Sequence, residues 1–264
     1  RDAKMVDYGK KMFYNSVVAF ISAQALSFII SIKLPSADVG AYNILLTLTG
    51  LTTFLLINLN KVFAPAISKL HHEKNFIELN DLYKKTTFLL NLFAIPLAVI
   101  IAIFSDEILG LYTAEMLMYK KYLFYMLVGG MLSLAAGSSG TFMVMAGLEK
   151  QNLKLQLIRA ILLIFLSLWF IPIIGLLSVV GLYVVFMLFI NGAQLIYIGK
   201  YLQISPFSKE LFFLFGLTVI VMYFAINQEF VFQIYHFIVV PIFVYVCYFG
   251  LLFQPLKRLV KEIL

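Results

Sequence analysis

Long apolar runs, separated by gaps that hold nearly all of the charge, constrain this chain more than any other feature. The sequence carries 20 Lys+Arg and 13 Asp+Glu in 264 residues, and almost none falls inside a run. A helix needs ~20 mostly apolar residues to cross a bilayer. Eight such runs are visible: A (about 12–33), B (41–61), C (86–104), D (122–146), E (155–172), F (175–198), G (211–226) and H (230–253). They are continuous and lack the alternation of barrel strands, and a helix satisfies its own backbone amides without water. Only 12% of residues are charged, half the level usual in soluble domains. The expected class is an all-α, polytopic membrane protein with eight transmembrane helices.

The basic residues sort by side. Arg1, Lys4, Lys10 and Lys11 precede run A, and Lys61, Lys69, Lys74, Lys84 and Lys85 lie between B and C. Lys150 and Lys154 follow D, Lys200 and Lys209 follow F, and Lys257, Arg258 and Lys261 follow H. The opposite gaps hold only Lys33, Lys120 and Lys121. Short loops rich in Lys and Arg stay cytoplasmic. Both termini are therefore expected in the cytoplasm, which eight crossings allow, in a cytoplasmic (inner) membrane. The net charge of +7 then reads as attraction to anionic headgroups, not to nucleic acid.

Two gaps have structure of their own. Phe76, Ile77, Leu79, Leu82 and Tyr83 recur at helical spacing among charges between B and C, which predicts a short amphipathic helix at the interface. Between C and D, Asp106 and Glu107 precede Ile108, Leu109, Leu111 and Tyr112, a pattern suited to a helix N-terminus. The chain begins at Arg1, not Met, which points to a piece of something longer.

Few residues carry recognisable chemistry. His71 and His72 are adjacent and cannot form an i, i+4 metal pair, and His236 reads as a packed residue in H. Cys247 is the single cysteine and has no internal disulfide partner. No phosphate-binding glycine loop is followed by Lys-Ser/Thr. No cofactor or metal is implied, and no enzyme motif stands out. Every acid lies in a gap or near a helix end, so no deep carboxylate marks a coupling-ion site.

Uncharged polar residues do occur at depth: Asn15, Gln24, Asn58, Asn91, Ser133, Ser138, Ser139, Ser167, Asn191 and Gln194. Hydrogen bonding between helices is the plain reading. Gly137-Ser138-Ser139-Gly140 in D allows close packing or bending, and Pro65 and Pro96 kink their helices by removing a hydrogen bond. Arg159 stands apart, about one turn inside E. Either its stem reaches back to the headgroups, or its planar fork lines an aqueous cavity and binds a phosphate. Lys61, after Asn58 and Asn60, would add a second positive charge or serve as an ordinary flanking anchor. The candidate substrate-binding set is Arg159, Lys61, Asn58, Gln24 and Asn15, and the candidate hinges are Pro65, Pro96, Gly137 and Gly140.

In order and spacing, these segments resemble the C-terminal part of the polysaccharide/oligosaccharide (O-antigen type) flippase branch of the multidrug/oligosaccharidyl-lipid/polysaccharide exporter superfamily. The resemblance rests on Val39-Gly40-Ala41-Tyr42-Asn43, on Phe63-Ala64-Pro65 through Leu70, and on Glu78-Leu79 through Thr87. It continues through Pro96-Leu97, Glu107-Ile108-Leu109, and Gly137, Gly140, Met145, Gly147 and Lys150. It closes with Ile171-Pro172-Ile173-Ile174-Gly175, Gly181 and Ile204-Ser205-Pro206-Phe207. Residues 1–210 are covered, and the last two helices match only in topology.

The resemblance implies that residues 1–200 form the second six-helix lobe of a flippase-like transporter and 201–264 an additional two-helix segment, with the first lobe absent. It implies a lipid-linked oligosaccharide substrate, a polyprenyl (pyro)phosphate, moved across the membrane by alternating access, with membrane lipids and a missing N-terminal lobe as partners. A multidrug/cation antiporter of the same superfamily is the near alternative. A membrane-embedded glycan polymerase or acyltransferase is the enzymatic one, for which the external gaps are short and poor in His.

Overall fold

The computed structural model describes residues 26–227 continuously, together with 9, 13, 14, 16–18, 20, 241, 244–246 and 248. Side chains are described through Val219 and again at 241, 244–246 and 248. Among the described residues the regular structure is entirely helical. Helix α1 is the run 26–33, the described end of predicted run A. Then follow α2 (Ser36–His72), α3 (Phe76–Ile103), α4 (Ser105–Gly110), a 3₁₀ segment (Ala114–Tyr119), α5 (Lys120–Leu134) and α6 (Ser139–Met145). The chain continues with α7 (Glu149–Ile174), α8 (Leu176–Leu202) and α9 (Lys209–Asn227).

Five segments among these are long and apolar enough to cross a membrane: Ser36–His72, Phe76–Ile103, Ala114–Met145, Glu149–Ile174 and Leu176–Leu202. They correspond to predicted runs B to F. Run G appears as α9, outside those five, and most of runs A and H lies outside the described residues. The exposed side chains agree with a membrane protein: Phe54, Val62, Phe165, Trp169, Ile173 and Ile196 are each more than half exposed. On a soluble domain so much contiguous apolar surface would mark a binding face. On membrane helices it faces lipid tails.

Three local readings are corrected. Helix α2 is 37 residues long, about 55 Å at 1.5 Å per residue, so it projects well beyond a ~30 Å hydrocarbon core. Its tail carries Lys69, His71 and His72. The expected interfacial helix between B and C does not exist as a separate element. A turn at Glu73–Asn75 leads straight into α3, whose first residues are that amphipathic stretch. Leu79 and Tyr83 are buried in the protein, and Asn75 caps the helix by accepting from the Glu78 amide at 3.2 Å. The third correction concerns run D, which is two helices, α5 and α6, with a break between them.

Two apolar cores stack along the bundle. One joins α1, the first half of α2, the end of α3, α5 and the first half of α8, around Ile30, Leu45, Leu123, Met126 and Val179. The other joins the ends of α2 and α8 to the starts of α3 and α7 and to α6, around Ile67, Tyr83, Phe142 and Ile198. Tyr83 stacks on Phe142 with ring centroids 3.9 Å apart. Helix α9 packs on α3 through a third core, in which Leu211 and Leu214 meet Phe88, Leu92 and Ile95 of α3 and Val244 and Tyr248. The loop before α9 is pinned by the Ser205 amide, which donates to Asn80 Oδ1 on α3 at 2.9 Å.

Candidate functional site

Between the two apolar cores lies a polar layer built around the break in run D. Helix α5 ends at Leu134, and Gly137 takes the left-handed conformation (φ +60°) before α6 begins at Ser139. A β-carbon on Gly137 would lie 2.1 Å from Thr87 Oγ1. The position therefore excludes a side chain on two counts, backbone conformation and space.

A broken helix frees carbonyls that a lipid environment cannot satisfy. Helix α3 supplies the donors. Asn91 Nδ2 donates to the Leu134 carbonyl at 2.8 Å, beside the Gly137 amide that also donates to it, and to the Thr87 carbonyl at 2.9 Å. The Tyr83 hydroxyl donates to the Ala136 carbonyl at 2.7 Å. Thr87 Oγ1 and Asn91 Oδ1 are themselves enclosed with no partner.

On the other side, α8 contributes Asn191 and Gln194. Ser139 Oγ lies 2.9 Å from Asn191 Oδ1 and 2.7 Å from Gln194 Oε1, and its single proton serves both. Asn191 Nδ2 donates to Ser133 Oγ at 2.6 Å, and Gln194 Nε2 donates to Asn152 Oδ1 on α7 at 2.8 Å. Gly140 makes room: a β-carbon there would meet Gln194 Nε2 at 3.2 Å. Side-chain amides and hydroxyls thus tie α5, α6, α7 and α8 across a buried layer, the interhelical bonding expected of polar residues at depth.

Arg159 stands on the same face of α7 as this layer. At 100° per residue, Asn152, Gln156, Arg159 and Leu163 fall within an arc of about 60°. Asn152, Leu163 and Ser167 on that side are buried, while Ile161, Phe165 and Trp169 on the opposite side are exposed. Arg159 Nε and Gln156 Oε1 are both enclosed without a hydrogen-bond partner. Arg159 lies ten residues into α7, about 15 Å along its axis.

The other predicted site residues are dispersed. Asn58 and Lys61 are exposed on α2, where Asn58 Nδ2 donates to the Phe54 carbonyl at 2.9 Å. No hydrogen bond joins either to Arg159 among the described residues. Asn15 and Gln24 lie outside the described residues. Of the predicted hinges, Pro65 is exposed inside α2 and Pro96 buried inside α3, and both helices run through them unbroken. The interruption falls at Gly137 instead, with Gly140 just beyond it in α6.

None of the layer's polar side chains belongs to the predicted substrate-binding set: the sequence marks Asn91, Ser133, Ser139, Asn191 and Gln194 only as polar residues at depth, and Tyr83, Thr87 and Asn152 not even as that. Asn152 was reachable, being seven residues before Arg159 and so on its face. Tyr83 and Thr87 carry no such signal, because their role depends on where a distant helix breaks.

Against known proteins, the family described as "Polysaccharide biosynthesis protein" matches residues 2–120. No curated protein and no solved structure matches the chain. The match supports a polysaccharide-biosynthesis role for a membrane protein in the broad sense. It ends before the broken helix and before Arg159.

Proposed function

We propose that this chain forms one lobe of a flippase that carries a polyprenyl (pyro)phosphate-linked oligosaccharide from the cytoplasmic to the outer leaflet of the inner membrane. No bond is made or broken. A second lobe, of the same gene product or a separate one, completes the cavity. The observation that carries this reading is the polysaccharide-biosynthesis match over residues 2–120. The chemistry of the interior agrees with it. Arg159 offers a permanently charged planar donor suited to phosphate oxygens, on the face of α7 that also carries Asn152 and Gln156.

A cation antiporter is disfavoured by the acids. Within the five candidate spans they are Asp38, Glu78, Asp81, Glu115 and Glu149, all within the first two turns of their segments. The broken helix and its borrowed hydrogen bonds supply a place where the lobe can flex during alternating access.

The test is made in the cells that produce the protein. Deleting the gene should abolish or strongly reduce the surface glycan and accumulate its lipid-linked precursor. Arg159→Ala at unchanged protein level should reduce glycan by tenfold or more, in line with ~1.5–3 kcal/mol for a charge-assisted bond. Unchanged glycan after deletion would remove the reading, and unchanged glycan in Arg159→Ala would remove Arg159 from the substrate path.

A further inference from the structure

A cavity separate from the polar layer opens at the end of the bundle that the charge bias places in the cytoplasm. It has a volume of about 850 Å³ and lies between the α2–α3 turn and the α6–α7 turn. Both turns contain a left-handed residue, Lys74 (φ +57°) and Gly147 (φ +78°), so each reverses sharply and leaves a gap between them. Gly147 keeps that gap open on the His71 side: even a β-carbon there would touch His71 Cε1 at 3.5 Å.

The lining is divided. One part is polar: Ser68, His71, His72 and the lysine Lys74, with the carboxylate of Glu149 at the edge. The other is apolar, with Phe76, Val144 and Met145. His71 packs edge-on against Phe76, ring centroids 6.2 Å apart, so the two parts meet. Next to Phe76, Ile77 is 87% exposed. A large aliphatic side chain so exposed beside lysines belongs at a lipid boundary. The start of α7 also borders the cavity, with Glu149 in its first turn beside the helix's positive end.

A cavity with a lysine, a hydroxyl and imidazole donors on one wall and apolar groups on the other fits an amphiphilic phosphate ester. We propose that it binds the phosphate headgroup of a membrane lipid from the cytoplasmic leaflet. His71, Lys74 and Ser68 contact the phosphate, and Phe76 and Met145 contact the first carbons of the chains. Basic pockets between membrane helices on the cytoplasmic side recognise lipid headgroups by this chemistry. The site does not depend on the flippase reading, since Arg159 is not among its lining residues.

The test uses the full chain purified in detergent, with lipid retention read by native mass spectrometry. The probes are phosphatidylglycerol, phosphatidylcholine and inorganic phosphate. Phosphatidylglycerol should be retained preferentially as a bound molecule. Lys74→Gln should weaken it about fivefold, the effect of one basic residue near a lipid surface, and His71→Ala should weaken it by removing a donor and the ring that packs on Phe76. Lys69→Gln serves as the control, because that exposed lysine on the same helix pairs with Glu73 at 4.0 Å and is absent from the lining. Thermal melting of each variant separates loss of the site from loss of the fold. Should Lys69→Gln weaken retention as much, general surface charge is responsible and the pocket is overturned. Displacement of the lipid by millimolar inorganic phosphate would identify a soluble-phosphate site and overturn the lipid assignment. Equal retention of phosphatidylcholine would overturn the phosphate-charge argument.

Discussion

Tyr83 and Ala136, 53 residues apart, are joined by a 2.7 Å hydrogen bond from the phenolic hydroxyl to the carbonyl oxygen. That carbonyl is available only because the helix ends two residues earlier, and it lies where water is scarce. The bond therefore stabilises the interruption rather than the helix. Tyr83→Phe should keep the fold, since the ring still stacks on Phe142, but leave a buried carbonyl without its donor. Such a loss costs about 1–3 kcal/mol. Unfolding in mixed micelles should report it, and amide exchange at residues 138–142 should rise ahead of exchange in α3.

Gly137 answers to two separate constraints, which a double-mutant cycle can divide. Gly137→Ala should destabilise through the left-handed backbone, about 1–2 kcal/mol, and through overlap with Thr87 Oγ1, a further ~1–3 kcal/mol. Thr87→Ala removes the Oγ1 and Cγ2 contacts and leaves only its β-carbon, 3.0 Å from the added one. The pair should therefore be less destabilised than the sum of the single changes, with the backbone part remaining. Strict additivity in the unfolding free energies would contradict the close approach.

Asn191 is the hub of the polar layer, bonded to Ser133, to Ser139 and to the Met187 carbonyl. Replacing it with Leu removes an amide that two hydroxyls use. Asn191→Leu should cost about 1–3 kcal/mol. Adding Ser139→Ala should cost less in that background than alone, because partners in one network are not additive. Equal costs in both backgrounds, measured by unfolding, would show that the two side chains act independently.

Sidedness can be read directly. After Cys247→Ser, a cysteine placed at Lys74 and one at Lys121 should react with a membrane-impermeant maleimide from opposite faces of intact cells and inverted vesicles. The Lys121 position should label from outside. Labelling of both from one side would reject the topology drawn from the basic residues.

At Arg159 the geometry of the head matters as much as the charge. Arg159→Lys retains the charge but loses the planar fork. If the fork grips phosphate, the Lys variant should fall between wild type and Arg159→Ala in surface glycan at equal protein level. A Lys variant equal to wild type would leave only a charge requirement.

What was legible in the sequence follows from properties that need no partner. Apolar runs of bilayer length announce helices wherever they pack, because a backbone in lipid has no other local solution. The one-sided distribution of Lys and Arg also needs no partner to be read, and gives the orientation that the labelling experiment tests. The inward face of α7 was half visible, since Arg159 is a charge inside an apolar run and Asn152 repeats at helical spacing. The rest was decided by tertiary structure. Whether Gly137-Ser138-Ser139-Gly140 merely allowed close packing or broke the helix depended on α3 offering Tyr83 and Asn91 to the freed carbonyls. Pro65 and Pro96 carry the stronger local breaking signal, yet their helices continue through them. Polar residues such as Asn191 and Gln194 were visible one by one, but their network requires four helices at one depth. A break in a membrane helix survives only where neighbours replace the hydrogen bonds it loses, and those neighbours are set by packing, not by adjacent sequence.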